Sequence, residues 1–396
     1  MPGQPLRGIT VVSLEQAVAA PLATRQLADL GARVIKVERP VVGDFARGYD
    51  EAVLGQASYF VWLNRSKESL ALDLKDPRAI ELVHELLATA DVFVENLAPG
   101  ATQRLGLSRP TLAERYPRLV TCEITGFGAE GPWADRKAYD LLVQCETGLV
   151  AATGEGESLA KAAISVADIA AGMYAYSGIL AALFERATTG AAPSVEVSLF
   201  DALSEWMGAH HLYTRYSGIE PTRRGVDHAT VVPYGLFRTA GGGAIVLAVQ
   251  NEREWRSFCE QLLGDPALAD DPRFSRNAAR VEHREEVKAL VNARLALLDV
   301  GACEEALDRA GVAHGRVNTV AAAVEHPVLT ERGRWREIET PAGAVTALLP
   351  PLRLGGGEPR LGPLEAVGAS SARILSELGR SDAEIDLLEA EGVISR

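Results

Sequence analysis

The sequence predicts an α/β protein, with a parallel sheet flanked by helices in its first half and a smaller second domain after it. Three observations lead there. Short β-branched runs alternate with amphipathic stretches over roughly the first 200 residues, the strand–helix–strand order of a parallel layer. Residues 213–232, YTRYSGIEPTRRGVDHATVV, then turn polar and loop-like. Finally, 396 residues at roughly 100–200 per domain suggest two or three domains.

The elements follow in order. GITVVSL (8–14) reads as a strand. Leu22, Leu27 and Leu30 then mark a helical stripe, Gly31 is placed to end that helix, and RVIKVE (33–38) is a second strand. LALDL (70–74) is a strand, and residues 76–90 form a helix with Asp76 as N-cap and Pro77 in its first turn. DVFVEN (91–96) and RLVTCEITG (118–126) are strands, 168–187 a helix, and PSVEVSLF (193–200) a strand. Beyond the polar break, GAIVLAV (243–249) reads as a strand and 251–264 as a helix. Residues 282–310 read as helical and amphipathic, and the tail as two short helices separated by Gly379.

Composition sets limits. Hydrophobic residues at 47% and charged residues at 23% describe an ordinary globular chain and exclude disorder of the whole. A net charge of −13 argues against a nucleic-acid binder and against charge-driven attachment to anionic lipid. It leaves an anionic ligand open, because a local cationic pocket can sit in an acidic protein. Cys122, Cys145, Cys259 and Cys303 form no CxxC pair and read as reduced thiols of a cytoplasmic protein. The N-terminal residues contain no apolar core of a secretory signal. The most apolar stretch, 162–184, is interrupted by Asp168 and reads as a buried helix rather than a membrane span. His210 and His211 are adjacent rather than at ligand spacing, and no HExxH or cysteine cluster is present, so no metal site is expected.

Gly126-x-Gly128-x-x-Gly131 follows a strand and matches a dinucleotide fingerprint by spacing. The mechanism requires a helix opening at the third glycine to receive the pyrophosphate. Here Pro132-Trp133-Ala134-Asp135-Arg136-Lys137 follows, a loop, so dinucleotide binding is disfavoured. No GxSxG nucleophile elbow is present, which argues against an α/β-hydrolase thioesterase.

Five blocks carry a resemblance: LRGITVVSLEQAVAAPLATRQLADLGARVIKVERPVVGDFARG, NRSKESLALDLKDPRA, VENLAPGATQRLGL, ITGFGAEGPWADRKAYDLLVQ and ADIAAGMYAYSGILAALFER. In this order they resemble the type III CoA-transferases, with formyl-CoA transferase and carnitine CoA-transferase as members and the α-methylacyl-CoA racemases as relatives. The resemblance spans nearly the whole chain and is strongest over 5–205. It implies a large Rossmann-like domain built from 1–215 with 335–396, a smaller α+β domain at 225–330, and linkers at 216–224 and 331–334. It also implies an interlocked homodimer. Coenzyme A and acyl-CoA enter as substrates, together with a small carboxylic acid, and no cofactor is permanently bound. Two alternatives stay open: an acyl-CoA racemase or epimerase on the same fold, and a CoA-binding protein without turnover.

Moving CoA between two acids through covalent intermediates needs an enzyme carboxylate as nucleophile, near donors that hold an oxyanion. Asp168 in VADIAAG matches the family's catalytic aspartate. A helix N-terminus there favours its charged form, although a plain N-cap aspartate is the structural alternative. Tyr139 and Asp140 match the segment lining the thioester end. The racemases carry histidine at Tyr139, and a phenol of pKa about 10 is a poor base, which separates the two activities. Arg39, Lys75, Asn96, Arg104 and Lys137 match positions that contact CoA, whose phosphates need cations. Gln16 and Val18 lie in the loop after the first strand, where formyl-CoA transferase places a glutamine; the neighbouring AAP aligns that glutamine with Val18. RRGVDHATVVPYG replaces a run of glycines that covers the intermediate in that enzyme and keeps only Gly225. A dicarboxylate would need a further cation for its distal charge. Arginine's fork suits that task, which nominates Arg47, Arg65, Arg223 and Arg224, with His228 beside the last two. A short dicarboxylic acid is therefore the expected acceptor.

Overall fold

The computed structural model describes residues 3–357 and 360–396. It divides into two compact units, one of Met1–Leu149, Lys161–Tyr213 and Thr330–Arg396, the other of Val150–Ala160 and Thr214–Leu329. Residues 150–160 thus group with the second unit, whereas the sequence reading placed them in the first. The tie is local: the Gly225 N–H donates to the Gly154 carbonyl at 2.7 Å.

The first unit is built on β1 (Thr10–Leu14), α1 (Ala19–Asp29), β2 (Arg33–Glu38), α2 (Ser58–Asn64), β3 (Lys67–Leu72), α3 (Pro77–Leu87), β4 (Val92–Glu95), β5 (Val120–Thr125), α4 (Asp140–Glu146), α5 (Val166–Thr189) and β6 (Val195–Ser198). The sheet order is Ile394–Ser395, β3, β2, β1, β4, β5, β6. The six numbered strands are parallel and the C-terminal pair of residues adds antiparallel to β3. Strand residues alternate between two cores. Val11, Val34, Val92 and Val94 pack under α1 and α5, while Val12, Ile35, Leu70 and Phe93 pack under α3 and the tail helices Ser371–Glu377 and Asp382–Ala390. Both faces are covered, as a parallel sheet requires. Strand order reverses between β1 and β4, and ligands of such sheets bind where the carboxyl ends part at the reversal.

Several boundaries depart from the sequence reading, among them the expected loop from 213, which is helical to Ser217, and two have a plain physical cause. The third strand starts at Lys67, not at residue 70, because Lys67 is buried against Glu15 and its charge does not mark a surface turn. The helical stretch of 282–310 breaks after Leu295, and Asp299 caps a new helix, Val300–Ala310, by accepting the Ala302 N–H. Among the described residues α5 is the one helix long and apolar enough to cross a membrane, and half of its apolar window is buried inside the fold.

The second unit holds a three-stranded antiparallel sheet in the order Ala313–Arg316, Ala244–Ala248, Tyr234–Arg238. Trp255, Phe258, Phe237, Val287, Val291 and Leu307 form its core.

Candidate active site

Asp168 is the third residue of α5, inside the helix rather than before it. Its neighbour in the chain, Ala167, donates its N–H to Asp140 Oδ1 at 2.8 Å. Asp140 Oδ2 accepts Gln144 Nε2 at 2.7 Å, and Gln144 Oε1 accepts the Ala162 N–H. The helix end is therefore capped by Asp140. Asp168 is half-buried, and among the described residues its carboxylate forms no hydrogen bond or ion pair. Burial, and secondarily the negative Asp140, push its pKa up to about 7. This corrects the expectation that the helix terminus would favour the charged form: desolvation and a like charge win over the dipole.

Two tyrosines, Tyr49 and Tyr59, reach this end of α5. Tyr49 and Tyr59 meet edge-on at 6.0 Å between ring centres, and Tyr59 meets Trp62 at 6.1 Å. Tyr59 Oη lies 3.4 Å from Ser165 Oγ at the start of α5. The Tyr49 phenol is pushed up to about 12, chiefly by burial and then by Asp44, Asp168, Tyr139 and Tyr59. It therefore stays a neutral donor at neutral pH. Tyr139 precedes α4 and is 66% exposed.

The turn after β1 supplies another wall. Gln16 donates its N–H to Asn96 Oδ1 at 2.8 Å and accepts Asn96 Nδ2 at 2.9 Å through its carbonyl. The Asn96 amide group is thus engaged in holding this turn, across the reversal between β1 and β4, rather than held out for CoA. Val18 is buried with Leu22, Leu63, Tyr59 and Ile169, so its side chain packs the core. The Gln16 side chain makes no protein hydrogen bond among the described residues and is half-buried. Gly172, one turn after Asp168, lets the helices close up: a Cβ there would stand 2.6 Å from the Ala19 carbonyl oxygen.

Arg39, Lys75, Arg104 and Lys137 are exposed, and among the described residues their side chains form no ion pair. Arg39, Lys75 and Lys137 follow the carboxyl ends of β2, β3 and β5 respectively, and Arg104 lies in the connection after β4. The glycine-rich segment after β5 leads into a loop until Asp140, with Arg136 stacked on Trp133 at 4.1 Å; no helix opens at Gly131.

Two arginines proposed for an acid are spent elsewhere. Arg65 is 1% exposed and gives Nη2 to both oxygens of Asp29, at 3.0 and 3.1 Å. Arg47 is paired with Glu38 through Nε and Nη2 and lies over the Phe60 ring at 3.9 Å. In the second unit, Arg223 donates to the carbonyls of Gly156 and Ala151 at 2.7 and 3.0 Å. His228 stacks on Tyr234 at 5.0 Å. Gly225 sits in a left-handed backbone, φ 62°. Arg224 alone of these arginines is exposed without an ion pair among the described residues, and it lines a cleft of about 290 Å³ with Arg284 and three glutamates, Glu282, Glu285 and Glu286.

Sequence reasoning missed Tyr49, Tyr59 and the buried polar group beneath them. Lys36 gives Nζ to Asp44 Oδ2 at 2.7 Å and Asn64 Oδ1 at 2.8 Å; Lys67 gives Nζ to Glu15 Oε1 at 2.6 Å. A signal was present: lysines stand mid-run in RVIKVE and before SLALDL, in strands too apolar for solvent.

A parallel α/β unit whose strand-end face carries, among the described residues, a carboxyl and several cations without ion pairs has the make-up of a site for an anionic ligand beside a carboxylate. Comparison with known proteins specifies the class. The description CoA-transferase family III matches residues 6–363. The chain is 35% identical to the succinate–glutarate CoA-transferase of Agrobacterium fabrum, over 94% of this chain and 96% of that one. It is 32% identical to the human succinyl-CoA:glutarate CoA-transferase, over 99% and 90%. Among solved structures, a CAIB/BAIF family protein from Brucella suis superposes with a TM-score of 0.83 at 34% identity, covering 95% of this chain and 100% of that one. The chain belongs to CoA-transferase family III. It is an enzyme that moves CoA between an acyl-CoA and a carboxylate.

Proposed function

We propose that Asp168 is the nucleophile of this transfer and that the acceptor is a short dicarboxylic acid. The ionised Asp168 attacks the thioester carbonyl of the donor, CoA thiolate leaves, and a mixed anhydride forms. The thiolate then attacks the Asp168 carbonyl, releasing the first acid and leaving an aspartyl-CoA thioester. The acceptor carboxylate attacks that thioester to give a second anhydride. CoA thiolate attacks its acyl carbon, which releases the new acyl-CoA and restores Asp168. The observation that carries this reading is the state of Asp168: half-buried, among the described residues without a hydrogen bond or ion pair, and pushed up to about 7. Such a carboxyl is ionised at neutral pH in a large fraction of molecules yet poorly solvated, as a nucleophile requires. The neutral Tyr49 hydroxyl suits an oxyanion.

Arg39, Lys75, Arg104 and Lys137 are the proposed phosphate contacts for CoA. The succinate and glutarate in the relatives' names support a C4–C5 dicarboxylate, whose distal carboxylate needs a cation of its own. We further propose an interlocked homodimer in the cytoplasm.

The test replaces Asp168 by alanine. CoA exchange between labelled succinate and a panel of acyl-CoA donors should vanish, while CoA binding by calorimetry persists. Substantial exchange by the variant would show that another carboxylate is the nucleophile.

A further inference from the structure

The turn that follows β1 is strained. Ala17 has φ 62°, in the left-handed region that non-glycine residues avoid. Such strain persists only where surrounding structure fixes it. Two side chains from different strand ends do so here. Asn96 holds both backbone groups of Gln16, as described above. Asp44 accepts the Ala17 N–H itself, through Oδ1 at 3.2 Å.

Asp44 makes more contacts than a surface loop needs. Its side chain is 0% exposed. Oδ1 also accepts the Ala46 N–H at 2.9 Å, starting the 3₁₀ turn Phe45–Gly48 that leads to Tyr49. Oδ2 accepts Lys36 Nζ, and the Asp44 N–H donates to Glu38 Oε2 at 2.9 Å. The charges balance locally: Glu15 and Asp44 against Lys36 and Lys67, Glu38 against Arg47. One carboxylate therefore joins the turn at Ala17 to the turn that presents Tyr49. Both reach the start of α5. Ala17 and Ile169, the residue after Asp168, pack against the same apolar cluster of Val18, Leu22 and Leu63, and Tyr49 feels the Asp168 charge.

We propose that Asp44 is a positioning residue of the transfer reaction, which pins Ala17 in its left-handed backbone and so fixes the wall of the Asp168 site. The inference rests on Asp168 being the nucleophile. Lys36 has a separate part: it neutralises Asp44 so that the carboxylate can be buried. The acceptor oxygen, not the ion pair, does the positioning.

Two double variants separate these parts without leaving a buried charge unpaired. Asp44→Asn with Lys36→Met keeps the acceptor oxygen and removes both charges. Asp44→Leu with Lys36→Met removes the acceptor as well. The first should hold kcat within about threefold, and the second should lose about tenfold or more, since small misplacements at a reacting centre are costly. CoA affinity should stay within about twofold in both, because the phosphate cations are elsewhere. Adding Ala17→Gly to the Leu/Met pair should restore much of the lost kcat, because glycine adopts this backbone without a clamp. A purely structural role would not be repaired by a glycine at 17. Equal kcat in the two pairs, or no rescue by glycine, would overturn the proposal. Should the Leu/Met pair fail to fold, amide exchange of the unmodified enzyme decides. The Ala17 N–H should be protected like those of β1, and exchange at the rate of an open loop would overturn the proposal. Trapping of acyl groups on Asp168 in the unmodified enzyme tests the underlying reading independently.

Discussion

Asp140 caps the helix that carries Asp168: its Oδ1 accepts the Ala167 N–H at 2.8 Å, one residue before the proposed nucleophile. The two carboxyls thus share a helix terminus but not a role. Asp140 uses its oxygens on Ala167 and Gln144, whereas among the described residues the Asp168 carboxyl forms no hydrogen bond or ion pair. Asp140 raises the pKa of Asp168 as well as ending the helix.

The pH profile of kcat should therefore rise through about 7 as Asp168 ionises. Burial is the larger cause of this raised value and Asp140 the smaller. Asp140→Asn removes a like charge, so the acid limb should move to lower pH while remaining above that of a solvent-exposed aspartate. An unchanged or upward-shifted limb would contradict the assignment.

The same shift has a stability consequence. The folded pKa of Asp168 lies above its ordinary 3.8, so the folded state binds more protons over this interval. The contribution is fully present below the unfolded value and is lost as pH rises through about 7. Asp168→Asn removes the buried charge. Its Tm, relative to the unmodified enzyme, should be higher at pH 8 than at pH 4, as read by thermal melts at both.

Gly172→Ala should destabilise by about 1–3 kcal/mol, the usual cost of overpacking. Its Cβ would meet the Ala19 carbonyl oxygen at 2.6 Å, and the obstacle is backbone. Urea unfolding checks the cost. Because Ala19 begins the helix after the strained turn, kcat should fall as well.

Arg65→Ala removes one of the two arginines on the buried Asp29 and leaves Arg25, so it should destabilise the fold, as read by urea unfolding. Where it folds, its preference among acids should be unchanged, because Arg65 is spent on Asp29. Steady-state kinetics with a C4–C5 dicarboxylate and a monocarboxylate of equal length checks this.

Much of this was legible in the sequence because the strands repeat a simple pattern. RVIKVE forms β2 over the residues expected, and Asp76 and Pro77 start α3 as their chemistry dictates. Asp168 was nominated by its match to the catalytic aspartate of the family that the sequence resembles, since on spacing alone it reads as a plain N-cap aspartate. What the sequence hid is pairing across long separations. Nothing local to Arg65 marks Asp29 as its partner, 36 residues away, so a core arginine looks like a substrate arginine. Asp44 likewise reads as a loop residue until folding brings Ala17 and Lys36 to it. The raised pKa of Asp168 depends on burial and on Asp140, whereas the helix position alone suggested the opposite sign.

The most direct measurement adds hydroxylamine during turnover with an acyl-CoA donor and maps the modified residue by peptide mass spectrometry. An activated aspartyl carbonyl reacts with hydroxylamine to give a hydroxamate, whereas a resting carboxylate does not. The expected result is a hydroxamate on Asp168, dependent on the donor and absent without it. A donor-dependent hydroxamate on another carboxylate, or none on Asp168 while transfer proceeds, would contradict the account.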